Sequence, residues 1–241
     1  MLANVHIDET REIAIENTSD IPGTTIYTDG SGFKHGIGAA AIMVKNSTTV
    51  RKLKYYLGTD TRHTVYEAEA VAIILALHLA TNIKEPRTQL MIGMDNQAVL
   101  LGMKNQKSKP SHYLLNKIHD SLETFQVTQA RLRGIHIKGY RKGKGQTKLT
   151  DGSIGWKDWK LKQRCKVTFV WTPGHEGISG NEIVDEEAKL AAQGESSPLN
   201  ELPTFLHKKP LPVSISATRQ KLRKDAKLIW KGEWFTSPRH E

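Results

Sequence analysis

Residues 65–81, VYEAEAVAIILALHLAT, constrain the fold more than any other stretch. Their Ala and Leu content favours helix, and after Glu69 the run is continuously apolar. A helix with no polar face must be covered all round, which places this one inside a core. The longest apolar run, around 71–80, is too short to span a bilayer and contains His78, so no membrane partner is expected. Before this helix the period is two. Residues 24–32 (TTIYTDGSG), 36–45 (GIGAAAIMVK) and 49–58 (TVRKLKYYLG) read as three strands, the last two joined by Asn46-Ser47-Thr48. Connections this short make an antiparallel meander.

After the helix, residues 88–95 (TQLMIGMD) read as a strand and 96–104 as a short helix that its first residues can cap. Residues 111–125 carry Leu114, Leu115, Ile118 and Leu122 at helical spacing. Residues 166–172 (KVTFVWT) are a strand, 173–177 (PGHEG) a loop and 181–192 a helix, preceded by the capping-box pattern Ser179-x-x-Glu182. Residues 217–234 read as a basic amphipathic helix ending in Trp230 and Trp234. The order predicts an α/β fold. It is a mixed five-stranded sheet, three antiparallel strands and then alternating helices and strands, flanked by helices.

The chain divides into three segments. Residues 1–21 are an acidic, loosely ordered lead-in; 22–195 form the domain, with a basic insertion at about 126–165; 196–241 are a Pro-containing linker and a basic C-terminal helix. No basic-then-apolar signal pattern opens the chain, so it is expected to be intracellular, in nucleus or cytoplasm, and not secreted. A single cysteine, Cys165, excludes an internal disulfide framework and reads as an inert thiol. The net charge is +10, and residues 126–166 carry twelve Lys/Arg against two acids. Tyr140, Trp156 and Trp159 are interleaved with them, and residues 208–241 hold nine basic against three acidic side chains. Fields this concentrated imply an anionic partner, foremost nucleic acid, gripped through both segments.

Four acids fall at the ends of elements: Asp29 and Asp95 at strand ends, Glu69 near a helix start, Asp185 in the last helix of the domain. Open α/β sheets place their sites at such ends. Four converging carboxylates repel one another unless cations join them. Two oxygen-seeking divalent ions make the cluster favourable and suit an in-line phosphoryl displacement. Glu67 also lies near the helix start, but two residues along a helix turn about 200°, so one of the pair can point into a site while the other is solvated; the choice of Glu69 rests on the resemblance that follows.

The stretches YTDGS (27–31), YEAEAVAIILAL (66–77), MDNQAVL (94–100) and WTPGHEGISGNEIVDEEAK (171–189) together resemble ribonuclease H type 1. The likeness is to domains of the kind found in non-LTR retroelement (reverse-transcriptase) polyproteins, fungal ones among them, which allows this chain to be part of a longer polyprotein. It covers about residues 22–195 without the insertion, and implies a ribonuclease H-like fold. It implies that Asp29, Glu69, Asp95 and Asp185 hold two Mg²⁺ ions, with Mn²⁺ able to substitute, and that the RNA strand of an RNA–DNA hybrid is cut to leave 5′-phosphate and 3′-hydroxyl. His175 would assist proton transfer or ion and product departure. Gln97, with Asn96, Gly30 and Ser31, would approach the substrate. A second TDGS at 150–153 has no apolar strand before it, so Asp151 is expected to be a loop residue outside the site.

Two other classes compete. A related integrase or transposase shares the sheet and acids but lacks the PGHEGISGNEIVDE pattern. A catalytically inactive, domesticated nucleic-acid-binding module would be favoured by a missing acid, and all four are present.

Overall fold

The computed structural model describes residues 3–19, 24–104, 112–135, 137–138, 154–155, 164–207 and 210–235. The meander is built as expected: β2 (Thr24–Phe33), β3 (Gly36–Lys45) and β4 (Thr48–Thr59) pair antiparallel through short turns. Helix α2 (Val65–Thr81) then crosses the sheet, and β5 (Gln89–Met94) returns parallel to β2. Helices α3 (Gln97–Lys104) and α4 (His112–Leu132) come next, then β8 (Lys166–Trp171) beside β5, and α5 (Ser179–Ala192).

The sheet has six strands rather than the five expected, in the order β1-β8-β5-β2-β3-β4, with β1 at Asn4–His6. The extra strand comes from the lead-in, whose described residues, 3–19, hold a strand and a helix. β1 (Asn4–His6) pairs parallel with β8, and α1 (Arg11–Ser19) succeeds it. The acids of this segment suggest a solvated tail, but one of them is structural. Asp8 is buried and binds His6 Nε2 at 2.8 Å and Asn17 Nδ2 at 3.0 Å, an internal staple rather than a solvated charge.

Helix α2 lies between the sheet and α4, which is why it has no polar face. Its Ile73, Leu75 and Leu77 join Ile26, Ile92 and Phe169 of the strands and Leu114, Ile118 and Leu122 of α4 in one core. The opposite face carries α5. A Cβ on Gly38 would lie 2.1 Å from Ala192 N, so only glycine lets that helix rest directly on β3. Tyr27, Ile42, Val184 and Ala188 complete the smaller core there.

The ends of the basic segment are fixed. Helix α4 runs seven residues past the expected 125, because Gln126 is not an exit but a clamp. Its Nε2 donates to Cys165 O at 2.7 Å, and its Oε1 accepts from Cys165 N at 2.9 Å. Burial pushes the Cys165 thiol up to about 11, consistent with an inert role. Between these ends, β6 (Ile137–Lys138) and β7 (Ile154–Gly155) form a two-stranded parallel pair. The second TDGS, Asp151, Tyr140, Trp156 and Trp159 lie outside the described residues.

The linker is packed rather than free. Ser197 and Ser196 accept from Lys54 N and Tyr56 N at 3.0 and 2.9 Å, covering the outer edge of β4, and Leu202, Leu206 and Leu211 are buried. Helix α6 (Ile215–Phe235) then leaves the core: of its residues only Ala217 is buried, and Leu222, Ile229, Trp230 and Trp234 are exposed. Among the described residues no helix is long and apolar enough to cross a membrane.

Candidate active site

Register creates the site. In the parallel pair of β2 and β5, Thr28 is opposite Met94, so the next residue of each strand's run, Asp29 and Asp95, emerge side by side at the carboxyl end of the pairing, in the middle of the sheet. Trp171 Nε1 holds the Asp95 carbonyl at 3.0 Å. The third acid arrives because β2 and α2 touch backbone to backbone: a Cβ on Gly30 would lie 2.4 Å from Glu69 N. Asp29, Glu69 and Asp95 thereby each offer an oxygen within 4.8 Å of the others. Asp185 stands at the margin, its carboxylate on Lys189 Nζ at 2.5 Å.

The electrostatics are those of charge crowded beyond what its neighbours compensate. Burial, then Asp95 and Asp185, push Asp29 up to about 7, against the Gly30 N–H and Lys189. Burial, then Asp29 and Asp95, hold Glu69 well above the usual carboxylate range, with Asn96 and the Gly30 N–H opposing. Asp95 is raised by burial and Asp185, and lowered by its own backbone and His175. Glu69 Oε2 is buried and has no hydrogen-bond partner among the described residues. Such an atom needs a proton or a cation, and an all-carboxylate oxygen set suits a hard divalent ion. The residues therefore fit a metal of the Mg²⁺ or Mn²⁺ kind.

The remaining expected residues divide by position. His175 is exposed in the loop after β8 with φ +60°, while the neighbouring Gly174 abuts Asp95, a Cβ there falling 3.2 Å from Asp95 Oδ2. Gly30 is buried beneath α2, its N–H turned to the carboxylates. Asn96 caps α3, accepting from Ala98 N and Val99 N at 3.0 and 3.3 Å, and its Nδ2 lies 3.5 Å from Glu69 Oε1. Ser31 is half-buried and Gln97 exposed, both beside the cluster in sequence.

Glu67 is not solvated. It is 1% exposed and closes a capping box with Thr64, accepting from Thr64 N at 2.9 Å while Thr64 Oγ1 receives Glu67 N. Helix α5 lacks the corresponding box at Ser179 and Glu182; it begins after Ile178 without a side-chain cap. Lys189 was legible as the i+4 partner of Asp185, whereas Arg11, which reaches the His175 loop from α1, left no signal in the pattern.

A mixed sheet that brings two buried carboxylates and a half-buried one together where its central parallel strands meet a helix defines an acidic-site α/β protein with donors for a hard cation. The RNase H family profile matches residues 22–193, so the chain belongs to the RNase H family. A ribonuclease H of Anaeromyxobacter dehalogenans (strain 2CP-C) is 30% identical over 105 residues, 44% of this chain and 55% of that protein. The Pol polyprotein of Equine infectious anemia virus (isolate 1369) is 30% identical over 190 residues, 77% of this chain and 12% of the polyprotein. The chain thus spans little more than half of one relative and a small part of the other. A solved structure of LC11-RNase H1 in complex with RNA/DNA hybrid shares 16% identity, covers 70% of this chain and 98% of its own, and has a TM-score of 0.44, too distant to add to the strand order.

Proposed function

We propose that this chain is a metal-dependent endonuclease that hydrolyses the RNA strand of RNA–DNA hybrids, leaving 5′-phosphate and 3′-hydroxyl ends. The observation that carries it is the cluster of Asp29, Glu69 and Asp95, brought together from three elements with one buried oxygen left unpartnered. These three, with Asp185, would hold two Mg²⁺ ions, and Mn²⁺ would substitute. Bound there, the ions supply a water of lowered pKa and neutralise charge on the phosphoryl group. The chain's own residues do the rest. Asn96 fixes α3 and steadies Glu69; Gln97 and Ser31 face the minor groove, where 2′-hydroxyls are displayed. His175 exchanges a proton at the leaving side, and Lys189 restrains Asp185. The basic segment 126–166 and α6 extend the hold on the hybrid backbone. The likeness to Pol supports a setting within a retroelement polyprotein, which we take to be of non-LTR type, acting inside the cell.

The test is cleavage of a 5′-labelled hybrid with and without Mg²⁺, beside single-stranded RNA, double-stranded RNA and duplex DNA, with product ends mapped. Binding without cleavage would make the chain a nucleic-acid-binding module; cleavage of DNA would make it a relative of integrases. Under the proposal His175→Ala slows turnover by about 10–10³-fold without abolishing it. A parallel pair separates the two helix-start acids. Glu69→Gln removes activity and leaves stability intact or higher. Glu67→Ala breaks the capping box and lowers stability by about 1–2 kcal/mol, with turnover largely kept. Equal losses of activity in both variants would assign the wrong acid to the site.

A further inference from the structure

The N-terminal unit does more than add a strand. β1 runs parallel to β8 with His6 opposite Val170, so both strands finish at the end of the sheet that carries the carboxylates. Strand β8 leads into the loop 172–178, and β1 leads into the Asp8 staple and then Arg11, the first residue of α1. Arg11 Nη2 donates to Gly174 O at 2.7 Å, and Arg11 Nε lies 2.5 Å from Glu176 Oε1. One guanidinium therefore takes the residues on both sides of His175. A planar fork with several fixed donors suits such a two-point grip, and the single ammonium of lysine does not.

The gripped loop has reason to need it. His175 holds φ +60° without being glycine, a backbone that persists only when its surroundings over-determine it. Gly174 rests against the Asp95 carboxylate, so movement of this loop moves the imidazole relative to the acids.

We propose that Arg11 is a positioning residue: by holding Gly174 and Glu176 it fixes the loop that presents His175 to the acidic cluster, and the β1–α1 unit exists at this end of the sheet to carry it. The inference rests on the proposed role of His175 in hydrolysis. It gives the first residues of the chain a part in turnover, 163 positions away in sequence from the carbonyl that Arg11 binds.

The experiment uses the whole chain with Arg11→Ala, Arg11→Lys, Glu176→Gln, His175→Ala and the double variant Arg11→Ala/His175→Ala. Arg11 and Glu176 are partly exposed, so all should fold, and equal melting temperatures would confirm it. In Arg11→Ala, amide hydrogen exchange of residues 172–178 should quicken and kcat on a hybrid fall about three- to fivefold at unchanged KM, the scale of losing a solvent-facing pair. Arg11→Lys should recover part of this, and Glu176→Gln should lose part. In the His175→Ala background, Arg11→Ala should have no further effect on kcat. Unchanged loop exchange, or losses that multiply in the double variant, would overturn the proposal. Absence of hybrid cleavage by the unaltered chain would instead overturn the hydrolase reading, and the exchange measurement would still decide whether Arg11 holds the loop.

Discussion

Asp29→Asn is expected to abolish hybrid hydrolysis, by more than about 10³-fold, and to raise the melting temperature of the metal-free protein at pH 8. The first effect comes from removing a charged donor from the centre of the cluster with almost no change of volume. The second comes from the behaviour of that charge without an ion. Asp29 is 7% exposed and is pushed up to about 7, with Glu69 and Asp95 raised beside it. A carboxyl raised in the folded state binds its proton more tightly there than in the unfolded chain, where it titrates near 4. Stability is then fullest below pH 4 and falls as pH rises from 4 to 7. At pH 8 the unaltered protein carries the whole penalty and the Asn variant does not, whereas at pH 4 the two should melt alike. With about 2–4 °C per kcal/mol for a domain of this size, a rise of about 4–8 °C at pH 8 is expected. Millimolar Mg²⁺ should reverse the order, stabilising the unaltered chain at pH 8 far more than at pH 5, and the variant little at either. The same protonation predicts that more Mg²⁺ is needed for half-maximal activity at pH 6 than at pH 8. A variant that melts lower than its parent at pH 8 without metal would show that Asp29's charge is compensated within the protein, and that the cluster does not call for a cation.

Features that repeat were the ones legible in advance. The helix of 65–81 and the strand of 36–45 appear with the bounds their periods gave, because each presents a uniform environment for many residues. Asp29 and Asp95 stood out for a related reason, each closing an apolar run, although Asp29 lies inside β2 rather than at its end and only Asp95 follows the last residue of its strand. β1 was missed because three residues cannot establish a period, and their partner is β8, at the far end of the sequence. Glu67 was misplaced because a helical-wheel argument ranks faces only when one of them is wet. On α2 both are covered, and Glu67 is buried as a cap while Glu69 is buried beside Asp29 and Asp95. The two capping-box patterns, at Thr64 and Ser179, are alike in sequence, and packing alone decides that the first forms and the second does not. Gln126 reads as the polar end of a helix until its two hydrogen bonds to Cys165 are seen.

Gly30→Ala should undo fold and site together, though it adds a single methyl group. That methyl would lie 2.4 Å from Glu69 N, 2.8 Å from Ala68 C and 2.9 Å from Ala68 Cβ. None of these is the free end of a flexible side chain, so the strain cannot be absorbed by a rotamer change. Helix α2 cannot retreat easily either, since α4 covers its other side and residues 67–77 are buried without interruption. Either β2 bends or the first turns of α2 lift, and both movements separate Glu69 from Asp29. Overpacking of this kind costs about 1–3 kcal/mol and more when backbone must move, so a fall in melting temperature of about 5–10 °C is expected. Displacing a donor by an ångström is enough for a loss of about 10²-fold in turnover. The cation affinity read from Mg²⁺-dependent melting should weaken in step, because the three oxygens no longer meet. Gly232→Ala serves as the control. Among the described residues nothing lies within 4 Å of a Cβ there, on the exposed helix α6, and alanine should leave turnover unchanged and stability equal or slightly higher. If Gly30→Ala behaves like this control, α2 yields at its start, and the place of Glu69 is set by something other than its contact with β2.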